Sequence, residues 1–222
     1  MSIYRKRLLL VSPLTYGLER LFYGFAKLSL AEWLVGRRES FSHTDSSVRR
    51  VKKTIRQARA IETYVISWLV LELTLIGCNA SGIVIGTIVI QSLVVYRIFE
   101  IAQAQVNINI FSALRTHGHS PVVASLVRLL ILSFINFLEL ILTFGLLYAT
   151  AECKLDKASN WYDPYYFSAI TQLTVGYGDL TPVGGMRLIA AGQAVLGFTI
   201  TIIVIGRIVS FLPRVKPILT GR

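Results

Sequence analysis

The stretch WYDPYYFSAITQLTVGYGDLTP, residues 161–182, decides the fold. Asp163 followed by Pro164 is typical of a helix start, because an acceptor side chain precedes a residue whose φ is already fixed near the helical value. A helix from Pro164 to Leu173 is about 15 Å long at 1.5 Å per residue, which is half the thickness of a bilayer core. Such a helix leaves polar backbone unsatisfied in lipid, so the sequence predicts a re-entrant segment that other protein surrounds.

The run that follows this half-length helix carries glycine at alternate positions, Gly176 and Gly178. Glycine tolerates both signs of φ, so the backbone there can turn successive carbonyl groups toward one axis. A dehydrated monovalent cation needs a ring of such oxygens, and one chain supplies only one oxygen at each level. We therefore expect several copies of the chain to meet around an axis. The negative end of the helix dipole also favours a cation beneath this run.

Four apolar stretches surround the segment, and each is long enough, or nearly so, to cross a bilayer core of about 30 Å as a helix. They are Ile61–Gly77, Ile83–Phe99, Val122–Leu147 and Leu188–Leu212. The first two are separated only by the polar turn 78–82, so they form a predicted helical hairpin. The predicted fold class is an all-α integral membrane protein with four transmembrane helices, a re-entrant helix and a loop.

The composition excludes most other classes of protein. Of the 222 residues, 54% are hydrophobic and 16% are charged, and the mean hydropathy is +0.60. A water-soluble surface needs roughly 25–35% charged side chains, so a soluble enzyme is not expected. The high apolar content and the two cysteines also argue against disorder and a disulfide scaffold. Without a nucleophile and its base, a phosphate loop or paired carboxylates, the sequence predicts no enzyme and no cofactor.

Positive charge is concentrated at one end of the chain. Residues 1–60 hold 13 of the 23 Lys and Arg but 4 of the 12 Asp and Glu. A basic end joined to an apolar body is typical of a cytoplasmic N-terminus beside anionic lipid, and a nucleic-acid partner is not expected. The basic loops also put the C-terminus in the cytoplasm, and residues 151–186 outside. No cleavable signal peptide is expected, because the apolar run 8–11 is too short.

The N-terminal region contains two predicted helices. Leucines and phenylalanines recur at helical spacing over 14–28, which fits a helix in the membrane interface or, equally well, one packed on the cytoplasmic ends of the spans. Ser46 and Ser47 are typical of a cap, so Val48–Arg59 is predicted to be a second helix that enters the first span.

The run TVGYGD, residues 174–179, resembles the selectivity filter of the potassium channel pore-domain family. It follows a half-length helix and lies between two spans, and the resemblance extends over about Val122–Pro213. It implies a homotetrameric pore in the plasma membrane with K⁺ as the permeant ion. The implied ion-binding segment consists of the carbonyls of Thr174, Val175, Gly176 and Tyr177, the Thr174 hydroxyl, the backbone of Gly178, and Asp179 at the outer mouth.

The same resemblance implies supporting roles for other residues. Tyr177 is expected to turn its ring away from the axis, against Tyr166 and Phe167, and Glu152 is expected to anchor the filter surround. Gly197 corresponds to a hinge in the inner helix. The residues that would line the inner cavity, with packing against the third span as an open alternative, are Phe198, Thr201 and Ile205. The sequence departs from the family at Leu173, where threonine is common, and at Ile170, where some members have glutamate.

Charged residues in the spans do not form a recognisable voltage sensor, because none of the spans carries arginine at every third position. Arg97 and Arg128 are expected near cytoplasmic ends, where they snorkel or pair with Glu100. Glu72 and Glu139 are placed well inside spans, and we expect Glu139 to pack behind the half-length helix. Cys78 and Cys153 both fall on the predicted outer face, as a disulfide or as two thiols. No C-terminal ligand domain is expected.

The predicted organisation has four parts. They are a basic region of interfacial helices (1–60), a transmembrane hairpin with its linker (61–120), a pore domain (121–213) and a short cytoplasmic tail (214–222). The predicted function is passive, potassium-selective conduction. The alternative is a non-conducting or modulatory membrane subunit that assembles with other channel chains.

Overall fold

All four apolar stretches form helices in the computed structural model, which describes residues 47–82, 86–106, 126–151 and 155–210 and the single positions 17, 20 and 24. The helices are α1 (Ser47–Ala80), α2 (Thr87–Val106), α3 (Leu126–Thr150), α4 (Asp163–Gln172) and α5 (Met186–Ser210). Every one of them except α4 is long and apolar enough to cross a membrane. The chain is thus an all-α membrane protein, which confirms the predicted fold class.

The hairpin differs most from its predicted boundaries. The second predicted helix and the first span form one continuous helix of 34 residues, α1. Helix α2 begins and ends later than the predicted span Ile83–Phe99. The prediction stopped before the charge at Glu100, but that carboxylate is buried against Arg97 at 2.7 Å, so the helix continues through it.

Helix α3 is the centre of the molecule, since it packs against each of the other four helices. Its side chains Leu140 and Leu146 are fully buried, and Phe144 is nearly so. Around them lies a core to which α2, α4 and α5 also contribute. The hairpin and the C-terminal helices therefore share one apolar core.

A short ladder, absent from the sequence prediction, joins the loops on either side of α4. Strand β1 (Leu155–Asp156) runs antiparallel to β2 (Thr181–Pro182), with Leu155 opposite Pro182 and Asp156 opposite Thr181. Two-residue strands are too short to show an alternation of apolar and polar side chains, so no sequence pattern predicts them.

Several predicted features lie outside the described residues. They include nearly all of the N-terminal helix predicted over 14–28, the linker 107–125 and the tail beyond 210. Glu152 and Cys153 are also outside them, so the role predicted for Glu152 stays a prediction. Cys78, near the C-terminal end of α1, is a half-buried free thiol.

Gly145 sets the distance between α3 and α4. A Cβ atom at this position would lie 3.1 Å from the Cα of Tyr165 and would also overlap the tyrosine ring. Because one of these contacts is to backbone, a side-chain rotation alone cannot relieve it. Glycine at 145 is therefore what lets α4 approach α3 so closely.

We predict that Gly145→Ala destabilises the detergent-solubilised protein by about 1–3 kcal/mol, the usual cost of overpacking a close contact. The matched control is Gly77→Ala, because a Cβ at Gly77 meets no atom within 4 Å. Thermal unfolding of both variants beside the parent protein measures the effect. Equal melting temperatures for the two variants would contradict this account of Gly145.

Candidate functional site

Helix α4 begins at Asp163, as the Asp163–Pro164 pair predicts, but Asp163 does not cap it. Tyr162 occupies the position before the helix and makes no side-chain capping bond. The Asp163 carboxylate instead accepts backbone N–H bonds from Ser159 at 2.7 Å and Asn160 at 2.8 Å. Both bonds lower the pKa of Asp163, and the bond from Asn160 has the larger effect. The residue therefore fixes the turn that leads into the helix.

The segment after α4 has a backbone whose φ alternates in sign. Thr174, Gly176 and Gly178 have φ of 57°, 57° and 77°, whereas Val175 and Tyr177 between them do not have positive φ. The left-handed region is accessible to glycine without a steric penalty but costs a β-branched residue such as threonine roughly 1–2 kcal/mol. Local structure therefore holds Thr174 in a conformation that its own side chain opposes.

Hydrogen bonds to the end of α4 fix the direction of the first peptide groups. The carbonyl of Ile170 accepts the N–H of Val175 at 2.8 Å and the N–H of Gly176 at 3.3 Å. The peptide bonds of this segment are trans, so each N–H points opposite to the C=O of the same peptide group. The carbonyls of Thr174 and Val175 therefore both point away from α4.

The side chains of the segment are exposed in the single chain. Leu173, Val175 and Tyr177 are 55%, 47% and 72% exposed, although all three are apolar or aromatic. The expected cuff of Tyr166 and Phe167 around the Tyr177 ring is not present within one chain. The Phe167 ring instead packs edge-to-face on Tyr148 of α3, with 5.1 Å between centroids, because it points to the buried side of α4.

Tyr166 contacts the far end of the segment. Its hydroxyl donates a 2.8 Å hydrogen bond to the Asp179 carboxylate, and this bond raises the pKa of Tyr166. Ile170, one turn further along α4, is buried and, being apolar, offers Asp179 no hydrogen bond. The bond from Tyr166 thus joins the N-terminal part of α4 to the end of the segment.

A buried polar network that the sequence analysis missed connects α3, α4 and α5 behind the segment. Gln193 accepts a 2.7 Å bond from the Tyr148 hydroxyl and donates to the Ser168 carbonyl at 3.0 Å. Its amide nitrogen also lies 3.2 Å from the Gln172 side-chain oxygen. Ser168 in turn donates to the Ile141 carbonyl at 2.7 Å. The one available signal in the sequence was the amide of Gln193 within the apolar run 188–198; in the structure this side chain is fully buried.

Gly197 lies where α5 passes the end of α4. A Cβ there would lie 2.8 Å from the Gln172 side-chain amide carbon, so glycine leaves room for that amide. The side chains predicted to line a cavity lie on the adjoining face of α5 and are exposed in the single chain: Phe198, Thr201 and Ile205. The buried residue Ile200 marks the face of α5 that packs on its own chain.

The ionisable residues of the hairpin differ from expectation. Arg97 is not near a cytoplasmic end but near the middle of α2, where it is 3% exposed. Its guanidinium binds both carboxylate oxygens of Glu139, at 2.6 and 2.8 Å, and also Glu100 at 2.7 Å. The prediction that Glu139 packs behind α4 is therefore wrong, because this carboxylate pairs with the arginine of α2. Arg128 pairs with Glu62 of α1 at 2.8 Å.

We predict that Gln193→Leu, which keeps the volume but removes every polar atom, destabilises the protein by about 1–3 kcal/mol for each partner left without its bond. Introducing Tyr148→Phe into that variant should recover part of the lost stability, because it removes the hydroxyl that Gln193→Leu leaves without its hydrogen-bond acceptor. Denaturant unfolding of the single and double variants measures this coupling. Strictly additive losses would argue against a shared network, and Thr199→Val is the matched control on α5.

We also predict that Asp163→Ala lowers the melting temperature at neutral pH and that the deficit shrinks in acid. The lowered pKa of Asp163 means that the carboxylate stabilises the fold above the ordinary aspartate pKa. That stability is lost as pH falls through the lower pKa of the folded state. Melting curves across the acid range test this, with the exposed Asp156→Ala as control. A deficit that is independent of pH would count against the charged bonds.

Comparisons with known proteins agree with this architecture. Residues 136–214, from the middle of α3 past the end of α5, match the model of a family described as "Ion channel". Two relatives, both named Protein LctB, come from Bacillus caldotenax and Geobacillus stearothermophilus and are 41% and 47% identical over 54 residues. The match covers 24% of this chain and 40% of each relative. No solved structure matches. Residues 136–214 are therefore similar to the ion channel family, and the matched part covers less than half of each relative.

Proposed function

We propose that this chain forms an ion channel that conducts K⁺ selectively and passively through a filter of backbone carbonyls from four copies of the chain. The observation that carries the proposal is the common direction of the Thr174 and Val175 carbonyls, away from α4. A dehydrated K⁺ requires such oxygens in place of its water, and four loops of TVGYG sequence supply them in known potassium channels. The alternation of φ through Gly176 and Gly178 supports the same direction for the later carbonyls.

The ligands in this proposal are the carbonyls of residues 174–177 and the hydroxyl of Thr174. One chain offers a single oxygen at each level, so the remaining ligands come from symmetry-related copies. The 72% exposure of Tyr177 supports the same arrangement, because an aromatic ring inside a membrane protein is normally covered. In a tetramer, the ring would pack against the neighbouring subunit.

The proposed pore widens on either side of this filter. Asp179 lies at the outer mouth, with Tyr166 holding its carboxylate. On the inner side, the exposed stripe of Phe198, Thr201 and Ile205 lines the cavity, and Gly197 gives α5 a hinge. We assign the hairpin to a separate part (61–120), ahead of a pore domain (121–213) and after a basic cytoplasmic region (1–60).

The contacts of Arg97 support a pore that lacks a voltage sensor of the usual kind. Its guanidinium binds two carboxylates and lies 5.2 Å from the centroid of the Trp68 ring. A gating charge has to move through the membrane field, and Arg97 could do so only by breaking all these contacts. We further propose a plasma-membrane location with both termini in the cytoplasm, anionic lipid at the basic N-terminal region, and no enzymatic activity or cofactor.

The test is ion flux through the purified protein in liposomes, with K⁺ compared with Na⁺. We expect rapid K⁺ flux, far slower Na⁺ flux, and loss of both in Gly178→Asp, because an aspartate strains the left-handed backbone at φ 77° and adds a charge at the filter. The matched control is Gly185→Asp, at a glycine without positive φ where a Cβ meets no atom within 4 Å.

Two results would overturn the proposal. K⁺ flux that Gly178→Asp leaves intact would show that ions pass elsewhere. No flux from the pure protein, restored only when another channel chain is added, would instead support the alternative of a modulatory subunit.

A further inference from the structure

Glu72 is a buried carboxyl group that the proposed pore does not use. It lies on α1 within the membrane span Ala58–Ala80, and its side chain is 2% exposed. One of its oxygens, Oε1, lies 2.6 Å from the Thr143 hydroxyl of α3. The other, Oε2, is buried without any hydrogen-bond partner. A carboxylate in this position would carry an uncompensated charge at membrane depth, which is strongly unfavourable.

The number of hydrogens that the Thr143 hydroxyl can donate indicates whether Glu72 is protonated or ionised. The hydroxyl oxygen lies within hydrogen-bond distance of two acceptors, Glu72 Oε1 at 2.6 Å and the backbone carbonyl of Glu139 at 2.7 Å. A threonine hydroxyl has only one hydrogen to donate. If it donates to the Glu139 carbonyl, the short contact with Glu72 needs a second hydrogen, and only the carboxyl group of Glu72 can provide it.

The neighbouring charges do not neutralise an ionised Glu72. The cation that faces it from α2 is Arg97, whose guanidinium already binds Glu139 of α3 and Glu100 of α2. Tyr64, on α1 itself, donates to Glu100 at 2.6 Å. Among the described residues no cation is bound to Glu72, so an ionised Glu72 would add a negative charge beside the carboxylates that Arg97 binds. A proton on Glu72 removes that added charge.

We propose that Glu72 is a proton-binding site inside the membrane, occupied at neutral pH. The neutral acid donates its hydrogen from Oε1 to the Thr143 hydroxyl, which donates its own to the Glu139 carbonyl. The unpaired Oε2 is then the carbonyl oxygen of a neutral group, which is far less costly to bury than half of a carboxylate charge. The proton thus completes a chain of bonds from α1 to α3.

The position of this chain of bonds gives the proton a structural role. Thr143 lies in the part of α3 that also supports α4, through the Ile141 carbonyl bound by Ser168 and the close contact at Gly145. Loss of the proton leaves a charge between α1 and α3 that draws in water and separates the helices. Attachment of the hairpin to the helix that carries α4 therefore depends on pH.

Infrared spectroscopy of the full-length protein at neutral pH tests the site directly and does not depend on ion conduction. We expect a carbonyl band of a protonated carboxylic acid that is absent from Glu72→Gln and retained in Glu62→Gln. Glu62 is the matched residue on the same helix, near the start of the span Ala58–Ala80, where its carboxylate binds Arg128. Thr143→Val should shift the band, because it removes the bonded hydroxyl. A parent protein without the band, or a band that survives in Glu72→Gln, overturns the proposal.

Equilibrium unfolding against pH provides a second test. Above the ordinary glutamate pKa, the folded protein would bind one proton more than the unfolded chain, so its stability falls as pH rises. Relative to Glu72→Gln, the unfolding constant of the parent protein should increase about tenfold for each pH unit while the site stays protonated. Parallel pH profiles for the two proteins would show that Glu72 binds no additional proton on folding.

Discussion

Water does not reach the apolar interior of a bilayer, so each polar group that this chain carries to membrane depth needs its partner within the protein. The carbonyl of Ile170, at the end of α4, meets this need twice, by accepting the N–H groups of Val175 and Gly176. These two bonds set the direction of the peptide groups after α4, whose carbonyls at Thr174 and Val175 point away from α4. Gln193 satisfies the constraint in the same way, by joining three helices through one amide.

The constraint also explains why the hairpin and the C-terminal helices form one body. Arg97 could not be buried alone, and the two carboxylates that bind it come from its own helix and from α3. Removing one partner of such a buried pair typically costs about 3–5 kcal/mol, because the other charge is left without compensation. The ion pair therefore fixes how α2 is rotated and positioned against α3, which apolar contacts alone define less sharply.

Hydropathy was sufficient to predict the number of spans, and the Asp163–Pro164 pair was sufficient to predict the start of the half-length helix. Each of these depends only on residues that are neighbours in sequence. The glycines at 176 and 178 also indicated where the backbone turns. The positive φ of Thr174 could not be predicted, since the bonds to Ile170 impose it against the preference of threonine. Likewise, the partners of Glu139 and Gln193 depend on how neighbouring helices are rotated about their axes, which the apolar pattern of a single helix does not determine.

The ladder between β1 and β2 has a mechanical consequence. Leu155 and Asp156 are bound to Pro182 and Thr181, so the chain between the two strands is a loop closed at its base. The segment from Thr174 to Asp179 lies inside this loop, tethered to α4 at one end and to the ladder at the other. A force along the segment is therefore shared between these two anchors. The segment cannot slide along its own direction without breaking backbone bonds at one of them.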